Sequence, residues 1–300
     1  MYWHKVSERD LPALLAFLLP LEKFCLSFTS RLISDGAFTL PHRREALIFA
    51  ACTGGTVPPD SQQVLKPEHI IAAVMVSSRG LILPVHQPGI RLPGEIIDAL
   101  LAEFYRYSRK LYCLIGLAET VRQYEKFIRE KIDTRILYHL MYRPVQTPLP
   151  RNIFTPGLQI HFLTGNDVKK VYHLEEEYQH EEVLVHPERF SSAAHLVYFK
   201  RLVKEQEIFY ATIHGAAVAK AGTNAIGKYH SQIGGVYTAR TYRGRGIARS
   251  LLIRLLEEIS SRDHGAVLFV RKTNKPAVHL YKKLGFHIIG EFQITYSKLD

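Results

Sequence analysis

QIGGVYTARTYRGRGIA, residues 232–248, changes character halfway along. Its first part, 232–238, carries Ile, Val, Tyr and Thr with two glycines, the composition of a strand that another backbone approaches closely. From Ala248 onward Leu251, Leu252, Leu255, Leu256 and Ile259 recur every three or four residues, which predicts a helix with one apolar face. The loop between them therefore feeds a helix N-terminus, where the first amides lack partners and the dipole is positive. Gly244, Gly246 and the small Ala248 leave those amides open, while Arg243, Arg245 and Arg249 add positive charge. A pyrophosphate fits such a cradle; an arginine-rich turn that only caps a surface helix would read the same way. Lys-Ser or Lys-Thr does not follow in P-loop register, and the three-glycine dinucleotide fingerprint is missing.

A second motif follows: Asn274-Lys-Pro-Ala-Val-His-Leu-Tyr281-Lys-Lys-Leu-Gly285-Phe286. Together with Arg243-x-x-Gly246-x-Ala248 it resembles the GNAT superfamily of N-acetyltransferases, over roughly the second half of the chain. The resemblance implies acetyl-CoA as acyl donor, its pyrophosphate held by Arg243, Gly244, Arg245, Gly246, Ile247, Ala248 and Arg249. It also implies that the pantetheine arm pairs with the backbone of Val236 and Thr238, beside a neighbouring strand over 266–271 that splays away. A backbone N–H near Thr238 would polarise the carbonyl, Tyr281 would protonate the departing thiolate, and Asn274 would touch the cofactor. Tyr281 reads equally as a core aromatic of an amphipathic helix, and Asn274 as a helix cap beside Pro276.

For the general base, the sequence offers the cluster Glu175, Glu176, Glu177, His180, Glu181 and Glu182 in a first-helix region. Glu182, next to an apolar Val-Leu-Val stretch, would have a raised pKa if buried; otherwise the cluster is a solvated helix face. No His-Glu-x-x-His pairing occurs, so a metal site is not expected.

A chain of 300 residues, 47% hydrophobic and 22% charged, has material for two domains. The net charge of +11 favours anionic ligands, but no basic run of six or more appears, so dedicated nucleic-acid binding is not expected. The apolar run 11–21 holds Pro12 and Pro20; it reads as a buried helix after Asp10 rather than a membrane span or secretory signal. Three scattered cysteines, Cys25, Cys52 and Cys113, suggest buried thiols in a reducing cytoplasm.

Prolines 144, 148, 150 and 156 mark a linker over 144–157. On either side the chain starts alike, YWHKVSERDL at 2–11 against QIHFLTGNDV at 159–168, with His4 over His161, Ser7 over Thr164 and Asp10 over Asp167. Further on, a helix over 94–110, strand 111–117, helix 120–131 and strand 134–142 parallel a helix over 247–262, strand 266–271, helix 275–284 and strand 287–296. Strands at 46–52 and 69–76 likewise parallel 208–214 and 216–221. The expected fold is α/β with two tandem acetyltransferase-like domains, each a mixed, mostly antiparallel sheet flanked by helices. Residues 1–143 form a degenerate copy and 158–300 the catalytic one. In the first copy the loop reads HQPGIRLPGE, where Pro88 and Pro93 offer no amides, so loss of CoA binding is expected there.

The resulting expectation is a cytoplasmic acyl-CoA-dependent N-acyltransferase acting on a small-molecule or peptide amine, monomeric or dimeric. A non-catalytic acyl-CoA sensor, an RNA-associated module and a transferase with another acyl donor stay open beside it.

Overall fold

The computed structural model describes residues 1–34, 36–53, 65–151 and 155–298. In chain order the elements are β1 (Tyr2–Lys5), α1 (Leu11–Leu18), α2 (Glu22–Thr29), the small hairpin β2 (Ile33–Ser34) and β3 (Ala37–Phe38), β4 (Ala46–Cys52), β5 (Ile70–Ser77) and β6 (Leu81–His86). Then follow α3 (Gly94–Ser108), β7 (Cys113–Leu117), α4 (Ala118–Tyr124), β8 (Ile132–Arg143), β9 (Leu158–Phe162), α5 (Val168–Tyr178), α6 (Ser192–Glu205), β10 (Ile208–Ile213) and β11 (Ala216–Ile226). The last elements are β12 (His230–Thr238), α7 (Ile247–Ser261), β13 (Gly265–Arg271), α8 (Lys275–Lys283) and β14 (His287–Ser297).

The chain divides into two units, Met1–Leu140 with Ile289–Asp300, and Met141–Ile288. In the first, the strands run β1-β4-β5-β6-β7-β14-β8; in the second, β13-β12-β11-β10-β9. The pairing types match strand for strand. β1/β4, β4/β5 and β5/β6 are antiparallel and β6/β7 parallel. β9/β10, β10/β11 and β11/β12 are antiparallel and β12/β13 parallel. The paired openings agree too: Ser7 with Asp10 and Thr164 with Asp167 each form a reciprocal capping box ahead of a helix. Each unit is thus a mixed, mostly antiparallel sheet flanked by helices, with apolar clusters on both faces.

Alternation along the strands feeds both faces: in β5, Met75 joins one cluster while Val74 and Val76 join the other. The residues that predict α7 from their spacing, Leu251, Leu252, Leu255, Leu256 and Ile259, are all fully buried, each stabilising the unit by about 1.5–3 kcal/mol.

The unit boundaries differ from the expected 1–143, 144–157 and 158–300 at the C-terminus. There β14 returns to the first unit and pairs with β7 from Phe292↔Leu117 to Tyr296↔Cys113. Residues 143–151 and 155–157 count with the second unit, where Arg143 donates through Nε to Leu284 O at 2.9 Å and through Nη2 to Thr147 O at 2.5 Å. Part of the expected linker, 152–154, lies outside the described residues.

The helix expected over 120–131 stops at Tyr124. Beyond it Phe127 packs back onto the cluster beside α3, and the Arg129 N–H bonds to Tyr105 Oη, which ends the helical ladder. Among the described residues, one helical run, Glu8–Leu32, is long and apolar enough to cross a membrane. Pro12 and Pro20 start separate turns in it, and Leu14, Leu18, Leu26, Phe28 and Leu32 are buried in the core of the first unit.

Candidate functional site

In the second unit, β12 and β13 pair only from His230↔Gly265 to Ile233↔Leu268. From Gly234 onward β12 keeps its antiparallel partner β11 but no longer pairs with β13, so the edge that carries Val236 and Thr238 opens there. The opening starts at an irregularity. Between Gly234↔Gly222 and Tyr237↔Lys220, β12 sets two residues, Gly235 and Val236, against one of β11. Gly235 takes φ +59°, the left-handed conformation that a bulge of this kind asks of glycine.

The chain then turns through Arg240–Tyr242 into the loop ahead of α7. Gly244 and Gly246 both have positive φ, +78° and +77°, and Gly246 is the cap residue of α7. Among the described residues, no atom beyond its chain neighbours comes within 4 Å of where a Gly244 Cβ would stand, and only Thr155 Oγ1 reaches 4.0 Å from that of Gly246. Glycine is required here by backbone conformation, and the absent side chains leave the first-turn amides of α7 uncovered.

The three arginines behave differently. Arg243 is committed within the fold: Nε donates to Thr238 O at 2.9 Å, and the guanidinium clasps both oxygens of Glu181 at 2.8 and 3.0 Å. Arg240 adds a third contact to Glu181 at 3.2 Å, and these arginines hold its carboxyl below the usual range. Arg245 lies over the Tyr242 ring, exposed. Arg249 donates to Arg151 O at 2.9 Å, and its other terminal nitrogen is buried with no partner among the described residues, a donor beside the cradle that an anion would satisfy.

Glu182 sits in a π-helical turn, Gln179–Val183, that continues α5. Its carboxyl is half-buried, and burial raises its pKa, with the Arg271 charge opposing and the Glu181 charge adding. Arg271, at the end of β13, donates to Glu182 O at 2.6 Å, and Asn274 Nδ2 reaches Glu182 Oε1 at 3.4 Å. Asn274 is also the cap of α8, accepting from the Ala277 N–H at 3.2 Å. Tyr281, on α8, is 7% exposed, with its ring edge-on to Phe286 in the apolar cluster under α7. Burial raises its pKa, and the Glu182 charge raises it further. Glu182, Asn274, Arg271 and Tyr281 are therefore neighbours. Glu175, by contrast, is buried in an ion pair with Lys220, a partner that no sequence motif marks.

The counterpart in the first unit differs in the loop ahead of its helix. α3 is capped by Pro93 at φ −57°, and the left-handed glycine of this loop, Gly89 at φ +80°, lies earlier and away from the cap. β6 and β7 pair only at Leu81↔Cys113 and Ile82↔Leu114, and farther on the Pro84 carbonyl would stand 3.1 Å from a Cβ on Gly116. Beyond them lies a cavity of about 470 Å³ lined in part by Val85, His86, Leu117 and Thr120. His86 faces inward to Tyr124 Oη at 2.9 Å, and burial lowers its pKa to about 4.

Residues 168–286 match the sequence model of the Acetyltransferase (GNAT) family. A curated mycothiol acetyltransferase from Corynebacterium kroppenstedtii is 31% identical over 77 residues, which is 25% of this chain and 21% of that protein, so the match spans about a fifth of the relative's length. Among solved structures, a GCN5-related N-acetyltransferase from Sphaerobacter thermophilus shares the fold at TM-score 0.62 and 16% identity, covering 99% of this chain and 96% of its own. A tandem GNAT protein from the clavulanic acid biosynthesis pathway does so at TM-score 0.56 and 13% identity, covering 99% of both chains. Through residues 168–286 the chain is similar to the GNAT acetyltransferase family.

Proposed function

We propose that the second unit is an acyl-CoA-dependent N-acyltransferase that moves acetyl from acetyl-CoA to an amine. The observation that carries this is the pairing of an opened β12 edge with a cradle of two left-handed glycines at the start of α7. Acetyl-CoA bound there supplies an activated thioester carbonyl. The first-turn amides of α7 and the unpartnered Arg249 nitrogen hold the diphosphate, while the backbone of Val236 and Thr238 pairs with the amides of the arm.

Glu182 takes the proton of the attacking amine at its carboxylate, a task that its raised pKa suits. Tyr281 gives a proton to the sulfur. The two are coupled: the Glu182 charge weakens Tyr281 as an acid, so once Glu182 has taken up a proton the phenol gives up its own more readily. Asn274 positions Glu182. The first unit, with prolines where amides are needed, does not bind the donor and shapes the protein otherwise. Three buried thiols without disulfides suit a reducing compartment such as the cytoplasm.

The test is calorimetry with CoA on the full chain, followed by thiol release from acetyl-CoA across a panel of amines and peptide N-termini. Saturable CoA binding with amine-dependent thiol release is expected; absence of CoA binding defeats the proposal.

A further inference from the structure

Beneath the β12 bulge lies a buried charge. Lys220, on β11, is 2% exposed. Its Nζ stands 2.8 Å from Glu175 Oε2 on α5, donates to Gly235 O at 2.8 Å, and lies 4.4 Å from the centre of the Tyr178 ring. The other oxygen of Glu175 accepts from Gln179 Nε2 at 2.8 Å and meets His195 Nε2, on α6, at 2.9 Å. Burial by itself would raise the Glu175 carboxyl, but the Lys220 charge and these hydrogen bonds hold it at about 2, so it is ionised at neutral pH. Taking such a pair out of water is costly, and replacing it with apolar side chains is often neutral or stabilising. Its place in this fold calls for a reason other than stability.

The reason lies in what Nζ holds. The carbonyl it binds belongs to Gly235, one of the two residues that β12 sets against Ala221 alone. A Cβ at Gly235 would stand 3.0 Å from Lys220 Nζ, so the ammonium fits directly beneath the bulge. A trans peptide directs its N–H opposite to its C=O. Holding the Gly235 carbonyl therefore turns the Val236 N–H away from Lys220, on the stretch of β12 where pairing with β13 has ended.

We propose that Lys220 is a positioning residue for acyl transfer: by pinning the Gly235 carbonyl, it aims the Val236 N–H at the donor's carbonyl oxygen, where negative charge develops. Glu175 pairs with the buried Lys220 Nζ, and Gln179 and His195 meet the other oxygen of Glu175. This role rests on the acetyltransferase reading of the same cleft.

The test combines Lys220→Met with Glu175→Gln, so that no carboxylate is left buried and alone, and measures each variant on the full chain. In the double variant, kcat for acetyl transfer is expected to fall by about tenfold or more, as when an oxyanion donor is lost, while KM for acetyl-CoA and Kd for CoA stay within about threefold. Glu175→Gln alone keeps the ammonium beside Gly235 and is expected to keep kcat within about threefold. An unchanged kcat in the double variant overturns the proposal. So does a parallel loss of turnover and CoA affinity, or a loss in Glu175→Gln alone as large as in the double variant. If the double variant does not fold, Lys220→Met combined with Glu175→Leu, an apolar pair, replaces it and is read by the same criteria. Wild-type protein that binds no CoA overturns the acetyltransferase reading and this inference with it.

Discussion

At the scale of single residues, the two proposed proton carriers depend on burial and on each other. Glu182 acts as a base only when ionised, and burial raises its pKa, so the acid limb of kcat/KM should lie above the ordinary glutamate value of 4.5 and activity should fall as pH drops through it. Glu182→Gln should lower kcat about a hundredfold and remove that limb, a change that pH-rate profiles of the two proteins would reveal. Tyr281→Phe should lower kcat about tenfold or more with little change in CoA affinity; equal losses in both would assign the ring to packing against Phe286 alone. Tyr281 and Asn274 were legible because they stand in a motif at fixed spacing. Glu182 stood out from its acidic neighbours only through the apolar residues after it. Lys220 was not legible at all: AVAKAG reads as a strand with one solvated lysine, and only the fold brings Glu175 to it.

At the scale of elements, the cradle is a property of backbone conformation. Gly246→Val has room for its Cβ in the free protein but must adopt φ +77°, a strain of about 1–3 kcal/mol for a residue other than glycine. The side chain also stands before the first-turn amides of α7. CoA affinity should therefore fall more than tenfold by calorimetry while the thermal transition shifts only modestly; retained affinity would place the diphosphate elsewhere. Elements with clear periodicity were read closely: α7 was expected over 247–262 and runs Ile247–Ser261, and β13 was expected over 266–271 and runs Gly265–Arg271. The role of Arg243 was not. The loop's positive charge counts on paper as phosphate-binding, but Glu181, far off in sequence, neutralises it in space.

At the scale of the molecule, the duplication was legible as two runs of similar elements, but the destination of the last strand was not. Local pattern predicts that 287–296 is a strand and says nothing about which edge it joins. Its polar residues show the answer in the fold: Gln293, Thr295 and Ser297 are all buried. Gln293 and Thr295 both donate to Glu125, at 2.8 and 2.5 Å, and Ser297 Oγ donates to Leu111 O. These partners all lie in the first unit, so a fragment ending near residue 143 lacks one of that unit's central strands, leaves the β7 edge unpaired and takes from Glu125 its bonds from Gln293 and Thr295. Such a fragment should therefore fail to unfold cooperatively, and deletion of 289–300 from the full chain should remove or sharply lower the first unit's transition in scanning calorimetry. Joining 287–300 to 1–143 through a flexible linker should restore it. A deletion that melts as the full chain does would mean that β14 adds nothing to the first unit, and that the two halves are separable at the linker after all.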